Sequence, residues 1–255
     1  SHWTKRIGNH KYGDILIILM LISGSIFLFK NYINSVTHSK YSVDETHFLP
    51  TENTRFIYSQ NGHKLYADFI FGKNHENVAV LYVGYGFHKT LAQKLKEFYT
   101  QKGFSVVLIC AEGFSVSGRK KADDFILSKE LSNWLDVIKS TFGEKAKIFL
   151  HGFSYTALSV LNCSNLCFAV FADNTHLFPV YNYKNIKNRI LKSICKKKSR
   201  AEIPEIAVPV FLSSKKGLSK ETYKLYEVSS SEKSVYIYDN FDANEYIKRL
   251  NGFII

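Results

Sequence analysis

Cysteine and proline are scarce in this 255-residue sequence, with four of each. No CxxC pair occurs, and no histidine stands at zinc-ligand spacing from a cysteine, so no metal site is expected. Cys163 and Cys167 are four residues apart on a predicted helix, where we interpret them as small apolar side chains of the core. Hydrophobic residues make up 45% of the sequence and aromatic ones 15%, which excludes a disordered chain.

Acidic side chains are also few, 22 against 34 lysines and arginines, which leaves a formal net charge of +12. The segment Lys184–Arg200 is strongly basic and contains no acidic residue. Its isoleucines 186, 190 and 194 fall on one helical face, and a basic amphipathic helix suits an anionic membrane surface. The alternative is a solvated helix packed on the sheet, and nucleic acid is not expected because no binding motif accompanies the charge. The candidate membrane-surface residues are Lys187, Lys192, Lys196, Lys197 and Lys198.

The segment Ile15–Phe29 is fifteen residues without a charge, bounded by Asp14 and Lys30. As a helix it would be about 22 Å long, and extension to Ile33 brings it nearer to the roughly 30 Å hydrocarbon core of a bilayer. We predict an uncleaved single-pass transmembrane helix, with a cleaved signal peptide as the alternative. Basic residues before the run favour a cytoplasmic N-terminus and an extracytoplasmic domain. The predicted organisation is a tail over 1–13, an anchor over 14–33, a linker over 34–53 and a domain over 54–255.

Strand and helix patterns alternate from about residue 54 onward. Asn61-Gly62 predicts the turn of an opening β-hairpin, and the apolar run Val78–Val83 is typical of a strand buried on both faces. The alternation predicts an α/β fold with a doubly wound, mostly parallel sheet. The predicted strands are Arg55–Ser59, Lys64–Phe71, Val78–Val83, Ser105–Cys110, Lys147–His151, Cys167–Ala172, Ile206–Leu212 and Ser234–Tyr238; the predicted helices are Leu91–Lys102, Ala122–Thr141, Thr156–Leu161, Ser219–Val228 and Ala243–Asn251.

The most informative segment is Ile148–Ala157, which predicts a buried strand that turns directly into a helix. Ser154 stands at the corner, as the serine of a nucleophile elbow does when a sharp strand-to-helix turn exposes it above a sheet. Residue 156 is threonine where a second small residue is usual, and we expect its branched side chain to restrict the approach of strand and helix. The alternative is that Ser154 only caps the helix.

From about residue 61 onward the chain resembles the α/β-hydrolase family, and more narrowly its bacterial membrane-anchored members. The resemblance implies an α/β-hydrolase fold without a large cap domain, with Ser154 as nucleophile. It also implies that the backbone N–H groups of Tyr85 and Tyr155 form the oxyanion hole. The motifs that carry it are Asn61–Leu65, Gly84-Tyr85-Gly86, Glu112–Arg119, Gly152–Thr156 and Phe171–Asn174.

The catalytic triad that the resemblance implies is incomplete. Its acid normally follows the seventh strand, where this chain has Lys215 and Lys216. Its histidine normally follows the eighth strand, yet residues 177–255 contain no histidine. Asp239 and Asp242 are poor substitutes, because a carboxylate is a weak base at neutral pH. General-base assistance typically contributes 10²–10⁴-fold to such a reaction, so its loss would be severe.

Two histidines remain as candidate bases. His176 stands three residues after Asp173, just past the sixth strand, so Ser154, His176 and Asp173 could form a rearranged triad. His88, in the loop after the third strand, is the second candidate. The alternative for each is a histidine without a catalytic role, and for Asp173 a structural residue that orders its loop through backbone hydrogen bonds. His151 is expected to pack in the core.

Two functions of different classes are therefore open. We favour a degenerate hydrolase that binds a small acyl or ester ligand, a partner or a lipid surface without triad turnover. The second hypothesis is an active serine esterase or acyl hydrolase that uses Ser154 with a rearranged base. Neither requires a cofactor, and the sequence does not indicate an oligomeric state.

Overall fold

The computed structural model describes residues 20, 23–25, 51–59, 62–84, 89–111, 124–175, 177 and 204–254. The chain divides into two compact units, Ser1–Tyr41 and Ser42–Ile255. In the first unit, residues 20 and 23–25 are helical; the rest of the predicted tail and anchor, and residues 34–50 of the predicted linker, lie outside the described residues. No helix within the described ranges is both long enough and apolar enough to cross a bilayer.

The described residues of the second unit form one eight-stranded sheet. Its strands are β1 (Thr54–Tyr58), β2 (Lys64–Ile70), β3 (Asn74–Val83), β4 (Phe104–Cys110), β5 (Lys147–Phe153), β6 (Ala169–Asp173), β7 (Val210–Lys215) and β8 (Lys233–Tyr238). They lie in the order β1-β2-β4-β3-β5-β6-β7-β8. β2 runs antiparallel to both of its neighbours, and the other neighbouring pairs are parallel. The predicted mostly parallel sheet is confirmed.

Helices cover both faces of this sheet, as expected of a doubly wound fold. They are α1 (Lys89–Gln101), α2 (Asp124–Phe142), α3 (Ala157–Asn162), α4 (Ser219–Val228) and α5 (Ala243–Ile254). One core cluster includes Leu131 of α2, Leu158 of α3 and Leu225 of α4. The other, on the opposite face, includes Leu95 of α1 and Tyr246 of α5.

The central strands are apolar because both of their faces are covered. Every side chain from Val78 to Val83 in β3 is buried, and successive residues of this run join alternate core clusters. In β2, by contrast, only every second side chain is buried, since the other face of this strand is partly exposed. The carboxyl ends of the parallel strands meet along one edge, where open α/β sheets bind their ligands.

The position of β7 differs most from its prediction. The apolar run Ile206–Leu212 predicts the strand, but β7 is Val210–Lys215. Ile206 makes only an isolated bridge with Ser229. Pro209 limits pairing at this point, because proline has no N–H to donate to a ladder, although its carbonyl oxygen accepts from the Val170 N–H at 2.9 Å.

Candidate functional site

Ser154 lies at the corner between β5 and α3. β5 ends at Phe153, two residues later than predicted, a 3-10 turn covers Ser154–Thr156, and α3 begins at Ala157. The φ angle of Ser154 is 49°, a left-handed conformation that costs a non-glycine residue about 1–2 kcal/mol. Such strain persists where the surrounding packing fixes it, and it is typical of functional turns. The predicted corner position is found, while the catalytic role of Ser154 stays a prediction.

Gly152 allows β5 and α3 to approach closely enough to form this corner. A Cβ atom built on Gly152 would lie 2.6 Å from Val160 Cγ2, 2.8 Å from the Thr156 carbonyl oxygen and 2.9 Å from Ala157 Cα. Two of these atoms belong to the backbone, so they cannot rotate away as a side chain can. A larger residue would therefore push the helix away from the strand.

Thr156 does not hold strand and helix apart, and the expectation drawn from its branched side chain is wrong. Thr156 is fully buried, and its Oγ1 donates to the Tyr82 carbonyl oxygen at 2.6 Å and accepts from the Phe153 N–H at 3.0 Å. Because Gly152 already provides the close approach, the turn has room for the branched residue. The Thr156 hydroxyl thus ties the turn to β3, the neighbouring strand.

Asp173 ends β6, the strand next to β5, and is in register with Phe153. Its side chain is buried, and its Oδ1 accepts hydrogen bonds from Ser213 Oγ at 2.7 Å and from the Tyr238 hydroxyl at 3.0 Å. Its Oδ2 accepts from Asn174 Nδ2 at 2.9 Å. A carboxylate can be buried only when such donors replace water. The predicted structural alternative for Asp173 is a loop ordered through backbone hydrogen bonds, whereas these three partners are side chains. Those of Ser213 and Tyr238 belong to β7 and β8.

Asn174 extends this arrangement along the edge of the sheet. Its φ angle is 50°, in the left-handed region that asparagine tolerates better than most residues. Its N–H donates to the Ser213 carbonyl oxygen, and its Oδ1 accepts from the Lys215 N–H, both at 2.8 Å. Its Nδ2 also donates to the Tyr238 hydroxyl. We call Asp173, Asn174, Ser213 and Tyr238 the edge network.

Two tyrosines provide neutral surroundings for the carboxyl group of Asp173. Burial, followed by the charge of Asp173, raises the pKa of Tyr238 above its ordinary value. The same two causes, in the same order, raise the pKa of the fully buried Tyr246. Both phenols therefore keep their protons at neutral pH, and Tyr238 remains a hydrogen-bond donor to the carboxylate.

Lysines occupy the place where the resemblance implies the catalytic acid. Lys215 is the last residue of β7, and Lys216 begins the 3-10 turn that follows. Lys216 Nζ lies 3.8 Å from Asp239 Oδ1, and both side chains are about three-quarters exposed. An ion pair this exposed contributes little stability, and its cation cannot orient a protonated histidine as a carboxylate would.

The loop that would carry the catalytic histidine is short, and the ring of its Phe241 packs against neighbouring aromatic side chains. Only residues 239–242 join β8 to α5. The ring of Phe241 packs against Tyr238, with 5.4 Å between ring centroids, and against Tyr246, with 5.9 Å between centroids. The described residues 204–254, which include β7 and β8, contain no histidine. No imidazole from these residues can therefore act on Ser154.

His151 packs in the core, as predicted. Its side chain is fully buried, its ring stacks on Phe171 with 4.2 Å between centroids, and its Nε2 lies 2.6 Å from the Tyr99 hydroxyl. Burial lowers the pKa of His151 to about 3, so its ring is neutral at pH 7. Its hydrogen bond to Tyr99 of α1 makes it a structural residue of the face that α1 covers.

Several predicted site residues lie outside the described residues. They are Tyr85, His88, His176, Lys187, Lys192, Lys196, Lys197 and Lys198; for Tyr155, the backbone is described as part of the 3-10 turn and the side chain is not. The neighbours of position 176 are anchored, since Thr175 and Leu177 are buried. The Leu177 N–H donates to Glu221 Oε2 of α4 at 2.9 Å. Glu221 gave no signal in the sequence, where it is an ordinary charged residue of an amphipathic helix.

The two neighbouring cysteines do not lie on an α-helix as predicted, because α3 ends at Asn162. Cys163 is buried and Cys167 is half-buried. Burial raises the pKa of Cys163 to about 12, and its Sγ donates to the Ser128 carbonyl oxygen at 3.3 Å. Burial also raises the pKa of Cys167. Neither is a reactive thiolate at neutral pH, and no group of three His, Cys, Asp or Glu side chains within the described ranges is arranged to hold a metal ion.

Comparison with known proteins identifies the fold through structure rather than sequence. No protein-family model and no curated protein matches the sequence. An esterase of Pyrococcus furiosus matches with a TM-score of 0.60 and 20% identity, over 85% of this chain and 98% of that one. A serine hydrolase homologue of Coxiella burnetii matches with a TM-score of 0.58 and 12% identity, over 80% of this chain and 96% of that one.

A third solved structure gives the same result. The mouse α/β hydrolase domain-containing protein 10 matches with a TM-score of 0.58 and 15% identity, over 79% of this chain and 98% of that one. At these identities the likeness shows the fold alone, and it does so across nearly the whole length of each known protein.

Proposed function

We propose that this chain, which has the α/β-hydrolase fold, is a degenerate serine hydrolase that retains the nucleophile elbow and binds a ligand without triad turnover. The proposal rests on what stands at the two places where a member of this family has its catalytic acid and its catalytic histidine. Lys215 and Lys216 stand at the end of β7, and a four-residue turn follows β8. The sequence after His176 contains no histidine that could take their place.

The elbow supports a binding site beside Ser154. Its strained φ angle of 49° directs the residue out of the regular path of strand and helix. We propose that the backbone N–H groups of Tyr85 and Tyr155 donate hydrogen bonds to the carbonyl oxygen of a small acyl or ester ligand there, as donors of an oxyanion hole do. Without a base, the same donors bind such a group but do not lead to its cleavage.

The membrane part of the proposal rests on sequence. We propose that residues 14–33 anchor the protein in a membrane, with the domain on the extracytoplasmic side. The lysines of Lys184–Arg200 would then contact anionic headgroups, because a basic helix near an anchored surface is attracted to them. Extraction with carbonate tests the anchor: an integrated chain stays with the membrane pellet, whereas a peripheral one is released.

A second candidate function is an active serine esterase that uses Ser154 with His176 or His88 as base. Three observations favour it. The elbow geometry is intact, and the carboxyl group of Asp173 lies on the strand adjacent to β5, in register with Phe153. Thr175 and Leu177 are buried, so the chain on either side of position 176 is held close to the sheet.

Turnover of a p-nitrophenyl ester separates the two functions. We expect Ser154→Ala, His176→Ala and His88→Ala each to leave the rate within about twofold of the unaltered protein, because no base activates the hydroxyl. His63→Ala, which removes an exposed histidine, is the matched control. A loss of about 100-fold or more in Ser154→Ala and in one histidine variant, but not in the control, would establish the esterase and refute the degenerate hydrolase.

A further inference from the structure

The hairpin of β1 and β2 has two faces that differ in burial. Ile57 and Leu65 lie on the face that joins the core cluster under α2. On the other face, Phe56 is 48% exposed and Tyr58 is 60% exposed. Two large aromatic side chains next to each other are therefore presented to solvent by the first strand of the domain.

The exposed rings form one continuous patch with their neighbours on β2. Phe56 is in register with Tyr66, and Tyr58 is in register with Lys64. The Phe56 ring centroid lies 5.7 Å from that of Tyr58 and 6.3 Å from that of Tyr66. Lys64 Nζ lies 4.3 Å from the Phe56 centroid. We call Phe56, Tyr58, Lys64 and Tyr66 the hairpin patch.

The composition of the hairpin patch matches a membrane interface. Tyr58 and Tyr66 combine an apolar ring with a polar hydroxyl tip, and side chains of this kind concentrate at the level of lipid headgroups. The ring of Phe56 adds apolar surface beside them. A lysine can place its methylene chain along such rings while its ammonium group meets a phosphate. Contiguous exposed apolar surface of this kind marks an interaction site, and here it combines aromatic and cationic groups.

The position of the patch in the chain also favours a bilayer. β1 begins at Thr54, directly after the predicted linker over residues 34–53. Twenty residues span at most about 70 Å even when fully extended, so an anchor over residues 14–33 would keep the hairpin near the membrane. Tethering of this kind lets a small patch remain bound that would dissociate from the membrane if the domain were free.

We propose that the hairpin patch docks on the headgroup region of the membrane, with the rings of Phe56 and Tyr58 inserted and Lys64 at a lipid phosphate. This proposal rests on the membrane anchor of the proposed function. It adds an orientation, because docking through β1 fixes which edge of the sheet faces the lipid.

Tryptophan fluorescence in vesicles tests the proposal. The full chain is reconstituted in phosphatidylcholine and phosphatidylserine vesicles that contain a lipid with a doxyl quencher near the headgroup. Phe56→Trp reports on the patch, and Phe168→Trp is the matched control, because Phe168 is 46% exposed and has Lys147 Nζ 5.1 Å from its ring centroid. The unaltered protein supplies the background from its own two tryptophans.

We expect the doxyl lipid to quench the added fluorescence of Phe56→Trp at least twofold more strongly than that of Phe168→Trp. Equal quenching in the two variants overturns the proposal. A blue shift that depends on the protein-to-lipid ratio, without doxyl quenching, assigns the patch to a second copy of the chain and also overturns it. If Phe56→Trp does not fold, Tyr58→Trp carries the same comparison.

Carbonate extraction distinguishes a failure of the patch from a failure of the anchor. A chain that is extracted but still shows quenching of Phe56→Trp refutes the anchor and supports docking. A chain that resists extraction but shows equal quenching in the two variants supports the anchor and refutes docking.

Discussion

Two regions along the carboxyl edge of the sheet differ in what they retain. The elbow region, Gly152–Ala157, has the strained corner and close packing of a nucleophile elbow. The edge network begins at Asp173 on β6, the strand next to the elbow. Its polar side chains form hydrogen bonds with one another. Packing alone can thus maintain the geometry of a nucleophile, whereas catalysis also needs groups delivered from other strands. Four predictions test this difference, in order of decreasing expected change in stability.

Gly152→Ala breaks the elbow region most directly. The added Cβ would lie within 3.0 Å of two backbone atoms of the turn and helix, so we expect the free energy of unfolding to fall by about 3 kcal/mol. Urea denaturation measures the change. Gly217→Ala is the control, because a Cβ there meets nothing within 4 Å. Equal stability of the two variants would show that the close approach does not hold the corner.

Asp173→Ala breaks the edge network. It leaves the hydroxyl groups of Ser213 and Tyr238 without their buried acceptor, and we expect a loss of about 2–3 kcal/mol in the free energy of unfolding. Asp239→Ala, at an exposed carboxylate, should cost less than about 0.5 kcal/mol. The network would have no structural role if chemical denaturation gave the same midpoint and slope for both.

The dependence of the free energy of unfolding on pH tests the burial of His151, which lies on β5. The folded-state pKa of His151 is about 3, below the ordinary value of about 6.5 in the unfolded chain. Between these values the unfolded state binds more protons, so the contribution of His151 to stability is lost as pH falls from about 6.5 toward 3. Between pH 7 and pH 5 we expect the contribution of His151 to the free energy of unfolding to fall by about 2 kcal/mol.

The comparison of variants isolates this effect. His151→Gln should reduce the loss of unfolding free energy between pH 7 and pH 5 relative to the unaltered protein, because it removes the titrating ring. His63→Ala, at an exposed position, should leave that loss unchanged. An unchanged pH dependence in His151→Gln would mean that the imidazole is not buried in its neutral form.

Thr156→Val tests the smallest of the four effects. The substitution keeps the branched shape and removes the hydroxyl that donates to the Tyr82 carbonyl oxygen and accepts from the Phe153 N–H. We expect a loss of about 1–2 kcal/mol, and a smaller one in Thr156→Ser, which keeps the hydroxyl. Thermal unfolding compares the stability of the two variants. A lower stability of Thr156→Ser than of Thr156→Val would mean that the branched shape matters more than the hydrogen bonds.

Sequence patterns predict most of the fold but only part of the site. The apolar run Val78–Val83 and the segment around Ser154 predict a buried strand and a corner, because both depend on neighbouring residues. The predicted start of β7 is four residues too early. Ile206 and Val208 resemble strand residues, and only the pairing partners reveal where the ladder begins.

The edge network could not be predicted. Ser213 and Tyr238 are 40 and 65 residues from Asp173 in sequence, and nothing in a serine or a tyrosine at the end of a strand identifies its distant partner. The hydrogen bond of the Thr156 hydroxyl is hidden from sequence for a similar reason, because its partner Tyr82 lies on another strand. Local geometry follows from local sequence, whereas a site assembled from several strands requires their register.

Labelling by a fluorophosphonate probe separates a degenerate hydrolase from an active one, since the probe reacts only with a serine that has been activated. We predict that the unaltered protein and Ser154→Ala show the same background labelling, as expected if the Ser154 hydroxyl has no base to deprotonate it. Labelling of the unaltered protein that disappears in Ser154→Ala would refute the degenerate hydrolase.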